Sequence, residues 1–299
     1  VAAEQVFAAD AEKILGFVML PDASQVGVIG TEPQVKWFAA DGSAVRQLAG
    51  AAAALNQLAI SQDASQAAAA DANGNLLVWN LADGALLKTI ESGVATTALA
   101  FGSDGTSLLA AGSDNHLRVY DLAEATLLQD QLAAAPQTVL SALPGGKEFL
   151  SADDSGILFE WVIASPTELL AVNGHNVVYG LDLNSDSSMA ASCGADNMIQ
   201  LWDLATGQAI RQLAGHEGPV YSIRFSDDDK LLVSASADGT VRVWNVADGA
   251  QLKSLVTTVA EGETVPAVYD ATFNAAADMV VAADSQGIIK LWNVASGEL

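Results

Sequence analysis

Short runs of alternating apolar and polar residues recur along the chain, and each run closes on an aromatic residue. Alternation over about 4–8 residues is typical of β-strands with one buried face, whereas a helix repeats its apolar positions at a longer period. The closing aromatic residues are Trp37, Trp79, Tyr120, Trp161, Trp202, Trp244 and Trp292. Their spacings of 42, 41, 41, 41, 42 and 48 residues define a single repeating period.

Each period contains the same internal pattern. The clearest one has four strand segments, which are Val220–Phe225, Leu231–Ser236, Val241–Val246 and Gln251–Val256. Asp238-Gly239 and Asp248-Gly249 separate the later segments, and this dipeptide favours the tight turn of a β-hairpin. Four antiparallel strands in each of seven periods predict an all-β, seven-bladed β-propeller that occupies residues 1–299 as one domain.

The two ends of the chain suggest how the ring closes. The last period has only three strand segments, which are Tyr269–Phe273, Met279–Ala283 and Ile288–Asn293. At the other end, Val1–Phe7 precedes the first strand of the first period, Ile14–Leu20. We therefore expect Val1–Phe7 to be the outer strand of the last blade, because this pairing removes the open edges between the first and last blades.

Several motifs resemble a known repeat family. Gly215-His216 and Trp244-Asn245 are similar to the Gly-His…Trp-Asp pattern of the WD-repeat family, and Gly174-His175 with Trp202-Asp203 repeats it one blade earlier. The resemblance covers the full chain and is specific for the fold but nearly silent on function, although members of the family commonly use the narrower face of the ring to bind partners. It also implies two buried hydrogen-bonded sets, comprising His175, Ser192, Asp196 and Trp202 in one blade, and His216, Ser234, Asp238 and Trp244 in the next.

The same residue types could serve catalysis. Ser234, His216 and Asp238 have the composition of a hydrolytic triad, and Cys193 with His175 that of a thiolate nucleophile. The repeat pattern favours a structural role for all of them. An Asp six residues before the aromatic residue occurs in three blades only (Asp114, Asp196 and Asp238), so blades 1, 4 and 7 are expected to lack this bonding and to be more mobile.

Charge narrows the partners. Twelve basic and 36 acidic residues give a net charge of −24, which repels phosphate backbones and anionic lipid surfaces. We therefore expect no nucleic-acid partner and no direct membrane insertion, and we expect protein partners with a basic surface. No phosphate loop, dinucleotide fingerprint, HExxH motif or paired-Cys spacing occurs in the chain, so no metal, cofactor or enzymatic activity is predicted.

Acidic loops are the candidates for partner binding. The loops between blades, and those between the second and third strands, share one face of a propeller and hold Glu32, Asp153, Asp154, Glu217 and Asp284. The longer last period places extra residues within Thr257–Pro266, with Glu261 and Glu263 among them. Insertions in repeat proteins often mark the binding face. The alternative interpretation is that these charges only keep the protein soluble.

These observations favour a non-catalytic scaffold or accessory subunit that presents an acidic face to a partner in a larger assembly. One alternative is a propeller domain of a longer bacterial protein, beside a cytochrome, kinase or protease domain. Another is an enzyme that uses the central channel. The sequence pI of about 4.1 and the absence of an initial Met favour an exported or periplasmic location over a cytoplasmic one, although no signal peptide is visible.

Overall fold

The computed structural model of the protein describes residues 6–8, 14–20, 24–39, 41–143, 148–162, 165–173, 175–256, 265–274 and 276–296. These residues form 28 strands, and no helix occurs among them. The strands build seven four-stranded antiparallel sheets, six of which order their strands as they follow along the chain, while the seventh combines the first strand with the last three. The predicted seven-bladed β-propeller is therefore confirmed.

The strands of the first three blades follow β1 (Val6–Ala8) along the chain. Blade 1 contains β2 (Ile14–Met19), β3 (Gln25–Gly30), β4 (Val35–Ala39) and β5 (Ala44–Leu48). Blade 2 contains β6 (Leu55–Ile60), β7 (Gln66–Asp71), β8 (Asn75–Asn80) and β9 (Leu86–Glu91). Blade 3 contains β10 (Thr96–Phe101), β11 (Ser107–Gly112), β12 (His116–Asp121) and β13 (Thr126–Leu132).

The remaining four blades repeat this arrangement. Blade 4 contains β14 (Gln137–Ala142), β15 (Glu148–Asp153), β16 (Ile157–Val162) and β17 (Ser165–Asn173). Blade 5 contains β18 (Val178–Leu183), β19 (Met189–Gly194), β20 (Ile199–Asp203) and β21 (Gln208–Leu213). Blade 6 contains β22 (Val220–Phe225), β23 (Leu231–Ser236), β24 (Thr240–Asn245) and β25 (Gln251–Val256). Blade 7 contains β26 (Val268–Phe273), β27 (Met279–Asp284) and β28 (Ile288–Asn293).

The ring closes as the sequence predicts. Strand β1 pairs antiparallel with β28, with Val6 opposite Lys290 and Ala8 opposite Ile288, and so becomes the fourth strand of blade 7. The first five residues of the predicted closing segment lie outside the described residues. Blades 1 and 7 are thus joined through a strand from the opposite end of the chain, and the outer edge of β28 is covered.

The hydrophobic core is divided among the junctions between blades. Seven apolar clusters are present, and each one joins residues of two consecutive blades. The cluster between blades 5 and 6, for example, packs Leu201 and Leu213 against Val220 and Trp244. Because each blade buries its apolar faces only against its neighbours, the ring has no single central core.

One aromatic position departs from the prediction. In blade 2, Trp79 pairs with Ala67 on the neighbouring strand, but the equivalent residue of blade 1 is Phe38, which pairs with Val26. Trp37 lies one residue earlier and faces the opposite side of the sheet, where it packs against blade 2. Trp37 is therefore not the repeat position of blade 1, and its ring lies so close to Gly27 that a Cβ atom there would be 2.7 Å from ring atom Cζ2.

Strand direction assigns the loops to two faces of the ring. The upper face carries the loops between blades and the turns between second and third strands, including Glu32, Asp154 and Glu217. The lower face carries the turns between first and second strands and between third and fourth strands, including Asp83, Glu124 and Asp227. First strands line the central channel that connects the two faces.

Candidate functional site

The four polar residues predicted in blade 6 lie together. His216 Nδ1 is 2.9 Å from Asp238 Oδ2, and His216 Nε2 is 2.7 Å from Ser234 Oγ. Trp244 Nε1 donates to the same Ser234 Oγ at 2.9 Å. A carboxylate can only accept, so we assign the His216 proton to Nδ1, and Ser234 then donates its hydroxyl proton to Nε2. These bonds link the loop before the blade to its second strand, to the turn that follows and to its third strand.

Blade 5 repeats this geometry with the other four predicted residues. His175 Nδ1 lies 2.8 Å from Asp196 Oδ1, and its Nε2 lies 2.9 Å from Ser192 Oγ. Trp202 Nε1 donates to Ser192 Oγ at 2.8 Å. The bonds satisfy polar groups that burial would otherwise leave unpaired, each contributing about 1 kcal/mol. The structural role of these two sets stays a prediction.

The order Asp238, His216, Ser234 is also that of a hydrolytic triad, but access to the nucleophile differs. Ser234 is fully buried, and its oxygen already accepts the Trp244 indole proton. A nucleophile must reach a substrate carbonyl beside an oxyanion hole, and a serine enclosed between blades cannot. Hydrogen-bond geometry alone therefore does not make this set a catalytic site.

Cys193 is equally enclosed. Its side chain is fully buried, and this burial raises the pKa of the thiol well above its ordinary value, which keeps the sulfur protonated. Both ring nitrogens of His175 are engaged with Asp196 and Ser192. The Cys193–His175 pair considered from the sequence therefore does not form a thiolate site.

The turns between second and third strands carry an aspartate at one of two alternative sequence positions, depending on the blade. In blades 4 and 7 the carboxylates of Asp153 and Asp284 are buried, and each accepts backbone N–H groups two and four residues later at 2.9–3.1 Å. Asp71 does the same in blade 2. The expectation that blades 4 and 7 lack aspartate-centred bonding is therefore wrong, because an Asp eight residues before the aromatic position replaces one six residues before it.

This burial also corrects two of the proposed partner-binding residues. Asp153 and Asp284 are each 1% exposed, and Asp284 Oδ2 is bound by Lys290 Nζ at 2.5 Å. Neither carboxylate is available to a partner. Glu32, Asp154 and Glu217 are exposed on the upper face, as a binding role requires. Glu261 and Glu263 lie outside the described residues.

Basic side chains on four outer strands connect neighbouring blades. Each donates to a backbone carbonyl in the segment that directly follows the third strand of the next blade. These bonds join Arg46 to Leu81, Lys88 to Ala123, Arg211 to Ala247 and Lys253 to Ala295. We call them interblade straps. The residue at this register position of blade 3 is Gln129, which has no such bond and whose Oε1 atom is buried without a partner.

The other described basic residues are also engaged within the chain. Their partners are acidic groups, amide oxygens or backbone carbonyls, as follows: Lys36 with Glu32, Arg118 with Asp114 and Asp130, Arg224 with the Ile223 carbonyl, Lys230 with Asp228, Arg242 with Gln251 and Asp238, and Lys290 with Asp284. Of the 12 Lys and Arg residues, only Lys13 and Lys147 lie outside the described residues. Every described basic side chain thus has an intramolecular acceptor.

A β-bulge re-aims one residue of each first strand into the channel. In every blade the pairing register shifts after the first residue of this strand, so that the second residue is unpaired. The residues at this bulge position are, from blade 1 to blade 7, Leu15, Asn56, Thr97, Thr138, Tyr179, Tyr221 and Tyr269. They encircle the upper mouth of the channel.

Three of these residues form an aromatic cluster, which we call the tyrosine arc. Tyr179 and Tyr221 have ring centroids 5.5 Å apart at 54°, and Tyr221 and Tyr269 have centroids 5.5 Å apart at 57°. Tyr179 is 40% exposed and Tyr269 is 36% exposed. The rings line a cavity of about 460 Å³ at this end of the channel. A second cavity of about 510 Å³ continues towards the lower face.

Charged groups lie deeper in the same channel. Asp182 accepts the Phe225 N–H at 2.7 Å, and Asp270 accepts the Ala271 N–H at 2.9 Å. Burial raises the pKa of both carboxyl groups, more than the nearby Arg224 guanidinium lowers it. Burial alone would lower the pKa of Arg224, but the two carboxylates outweigh it and keep the guanidinium charged. The three groups line both cavities.

Sequence reasoning missed these channel residues. The available signal was the dipeptide Val-Tyr, which begins the first strand in three successive blades at Val178, Val220 and Val268. An exposed aromatic residue repeated at one position of adjacent repeats does not serve the core and so indicates a surface role. The charged residues gave no comparable signal, because each occurs at a position where the other blades have different residues.

Metal binding and membrane insertion are two further possibilities for this part of the chain. Within the described ranges, no three His, Cys, Asp or Glu side chains come together in a way that could hold a metal ion. The same ranges contain no apolar helix of membrane-spanning length.

Four-stranded blades around a lined channel define the protein as a seven-bladed β-propeller. The family model described as WD domain, G-beta repeat matches three segments, residues 84–121, 167–203 and 207–245. The last two segments contain all eight residues of the two His-centred sets. Three matched repeats within a ring of seven blades are consistent with the WD-repeat propeller family, whose members are generally protein–protein interaction scaffolds and are typically non-catalytic.

Proposed function

We propose that the protein is a non-catalytic interaction scaffold whose acidic upper face binds a partner with a basic surface. The observation that carries this proposal is the engagement of every described Lys and Arg side chain inside the chain. The bound basic groups keep their charge but are tied to the ring, and the 36 acidic residues outnumber the 12 basic ones, so exposed carboxylates such as Asp154 and Glu217 dominate the field that a partner meets.

A stiff ring suits this function. The blades are joined by apolar clusters and by interblade straps, so the upper-face loops keep fixed relative positions. Fixed positions lower the conformational entropy lost on binding, because few groups need to be ordered when the partner arrives. The partner's basic groups would make contacts at the rim that increase the association rate and weaken with salt.

The proposal is tested by reversing charges on one face at a time. The protein is immobilised, proteins are captured from native extract at low salt, and each captured protein is identified, purified and measured for its dissociation constant. The triple variant Glu32→Lys, Asp154→Lys, Glu217→Lys alters the upper face. A matched variant, Asp83→Lys, Glu124→Lys, Asp227→Lys, makes the same change in net charge at exposed positions of the lower face.

Both variants reduce the net negative charge equally, so both lose some affinity for this reason. After this common loss is subtracted, we expect the upper-face variant to weaken binding at least tenfold and the lower-face variant to change it less than twofold. Raising the salt concentration should weaken binding of the unmodified chain. Equal losses in both variants would mean that total charge, not this face, attracts the partner. Binding that ignores both variants and salt would contradict the proposal.

A further inference from the structure

The bulge position divides the upper mouth of the channel into two unlike halves. In blades 3 and 4, Thr97 and Thr138 donate their hydroxyl protons to carbonyls of the next blade, at 2.8 and 2.7 Å. In blade 2, Asn56 donates to the Thr96 carbonyl at 3.3 Å. These polar side chains hydrogen-bond the first strands of neighbouring blades to each other, and their donor groups are used in these bonds. The half formed by blades 2–4 is therefore a structural part of the ring.

In the opposite half, formed by blades 5–7, the bulge position holds tyrosine rings instead of side chains that bond to the next blade. The tyrosine arc spans three adjacent blades, and its outer members are about two-fifths exposed to the channel mouth. Leu15 continues the arc into blade 1 and is 41% exposed. Exposed apolar surface in a concave site costs free energy unless a ligand covers it, so this half is a candidate binding surface.

The shape of the arc selects among ligands. Adjacent rings are tilted by 54–57° and thus enclose a hollow instead of forming one flat platform. A flat platform suits a sugar ring or a nucleobase, which stacks face to face. A hollow bordered by several ring faces suits a compact group that contacts more than one ring. The negative faces of aromatic rings attract a cation held within about 6 Å of their centroids.

The charges below the arc agree with this selection. Asp270 directly follows Tyr269 in β26 and lines the same cavity, at the level just below the rings. Arg224 stands three residues beyond Tyr221 in β22, which places it roughly 10 Å further along the strand. Asp182 and Asp270 place two carboxyl groups beside the single Arg224 guanidinium, so acidic groups outnumber basic ones in this part of the channel. Burial raises the pKa of Tyr221, and the neighbouring Tyr269 and Tyr179 rings add to this, so the phenol stays neutral.

We propose that the tyrosine arc and Asp270 form a receptor for one Lys or Arg side chain of the partner, inserted into the upper mouth of the channel. This inference rests on the proposed function, since it supplies the specific contact within the acidic face. The rings surround the cationic head group, and Asp270 accepts a hydrogen bond from it. The rim carboxylates attract the partner, and the inserted side chain fixes its position on the ring.

The chain offers an internal reference for a direct test. It contains four Tyr residues, and the fourth, Tyr120, is buried in blade 3 with 4% exposure. Ring-labelled [13C]tyrosine therefore gives three reporter signals and one control signal by NMR. The probes are the N-acetyl methylamides of lysine and arginine, with those of norleucine and citrulline as neutral analogues of similar shape. Single Tyr→Phe variants assign each signal.

We expect the cationic probes to shift the three arc signals in a saturable way and to leave the Tyr120 signal unchanged. The neutral analogues should shift them at least tenfold less at equal concentration. Tyr221→Leu removes the central ring and should weaken binding at least fivefold, while Tyr221→Phe keeps the ring and should retain binding within twofold. Asp270→Asn should weaken binding several-fold, and Asn56→Ala, in the opposite half of the mouth, should leave it unchanged.

Equal shifts with norleucine, or no saturable shift with either cation, would overturn the receptor. An unchanged Tyr120 signal and an unchanged melting temperature show that a variant remains folded. The two proposals can fail separately. If partner binding depends on the upper-face carboxylates but not on Tyr221, the acidic scaffold stands and the receptor fails. If the probes bind the arc but charge reversal has no effect on the partner, the receptor stands and the acidic face fails.

Discussion

Blade 6 has its histidine, serine, aspartate and tryptophan joined in one set of buried hydrogen bonds, with a strap from Arg211 on one side and a strap to the next blade on the other. Blade 1 has no His-centred set among its described residues, Phe38 at the aromatic position, and Gly30 where blades 2, 4 and 7 have a buried aspartate. Each of the two blades nevertheless forms a four-stranded antiparallel sheet with the same strand order. The comparison teaches that apolar packing between blades defines the fold, while polar bonding is added blade by blade.

Of the changes that test this comparison, loss of ring closure should reduce stability the most. Deleting residues 1–8 removes β1, exposes the outer edge of β28 and opens the junction between blade 7 and blade 1. We expect the melting temperature to fall by many degrees, or the protein to aggregate through the unpaired edge, because no His-centred set reinforces the described part of blade 1. Differential scanning calorimetry and light scattering measure both outcomes. An unchanged melting curve would contradict closure by this strand.

Truncating the two adjacent aromatic residues of blade 1 one at a time should show whether burial between blades or the repeat position contributes more to stability. Trp37 is 1% exposed between blades 1 and 2, whereas Phe38 is half-buried at the repeat position. We expect Trp37→Ala to reduce the free energy of unfolding by about 3–5 kcal/mol, and Phe38→Ala to reduce it less. Chemical denaturation provides the measurement. A larger loss for Phe38→Ala would show that the repeat position, not burial, decides stability.

Substitution of two aspartates of blade 6 should test its polar set. Asp238 has a 9% exposed side chain and accepts bonds from His216, Glu217 and Thr240, so Asp238→Ala leaves the buried His216 donor unpaired and removes the bonds to the other two residues. We expect a loss on the order of 2–4 kcal/mol in the free energy of unfolding. Asp228 is half-exposed in a lower-face turn, and its replacement by Ala should cost far less. Similar losses would contradict the distinction between the two sites.

Lowering the pH should reduce the contribution of Asp238 to the stability of the folded protein. Burial alone would raise the pKa of Asp238, but hydrogen bonds from His216, Glu217 and Thr240 outweigh burial and hold this pKa well below its usual range. A depressed pKa stabilises the folded state above the unfolded-state value of about 3.9 and loses this contribution as the pH falls below it. The melting-temperature difference between the native protein and Asp238→Asn should therefore narrow below about pH 4. A constant difference from pH 7 to pH 3 would contradict this linkage.

Loss of an interblade strap should have the smallest effect. Arg211→Met removes the bond to the Ala247 carbonyl of blade 6 and keeps the apolar stem, so we expect a loss of about 0.5–1.5 kcal/mol. Gln129→Met, at the register position of blade 3 that has no strap, is the control and should be neutral or slightly stabilising because it removes a buried unpaired oxygen. Equal effects in calorimetry would mean that the straps do not contribute to stability.

The architecture is predictable from the sequence because a propeller repeats one local pattern seven times. The closing strand follows from the same count, since a blade with three strands needs a fourth. The repeat position of blade 1 is not predictable in this way, because periodicity recognises the type of residue, whereas pairing with Val26 assigns the position to Phe38 instead of Trp37. The burial of Asp153 and Asp284 is equally hidden, because a loop position suggests a solvent-facing carboxylate although each one binds the turn backbone.

The candidate site is less predictable for a physical reason. Equivalent residues of the two His-centred sets are 41 or 42 residues apart, so alignment of the repeats alone is enough to group them. The tyrosine arc depends on the β-bulge, which turns the second residue of each first strand into the channel. A bulge is a property of strand pairing, and alternation along one strand does not reveal it.

The pairing of β1 with β28 has a consequence for synthesis. Val6 lies opposite Lys290, so β1 is synthesised long before β28, the strand with which it pairs. Blades 1–6 can assemble in order, each on the one before, because their strands are neighbours along the chain. The ring, however, stays an open arc until blade 7 is complete, and during that time the β28 site for β1 does not yet exist. Closure is thus a late, long-range step in the folding of the ring.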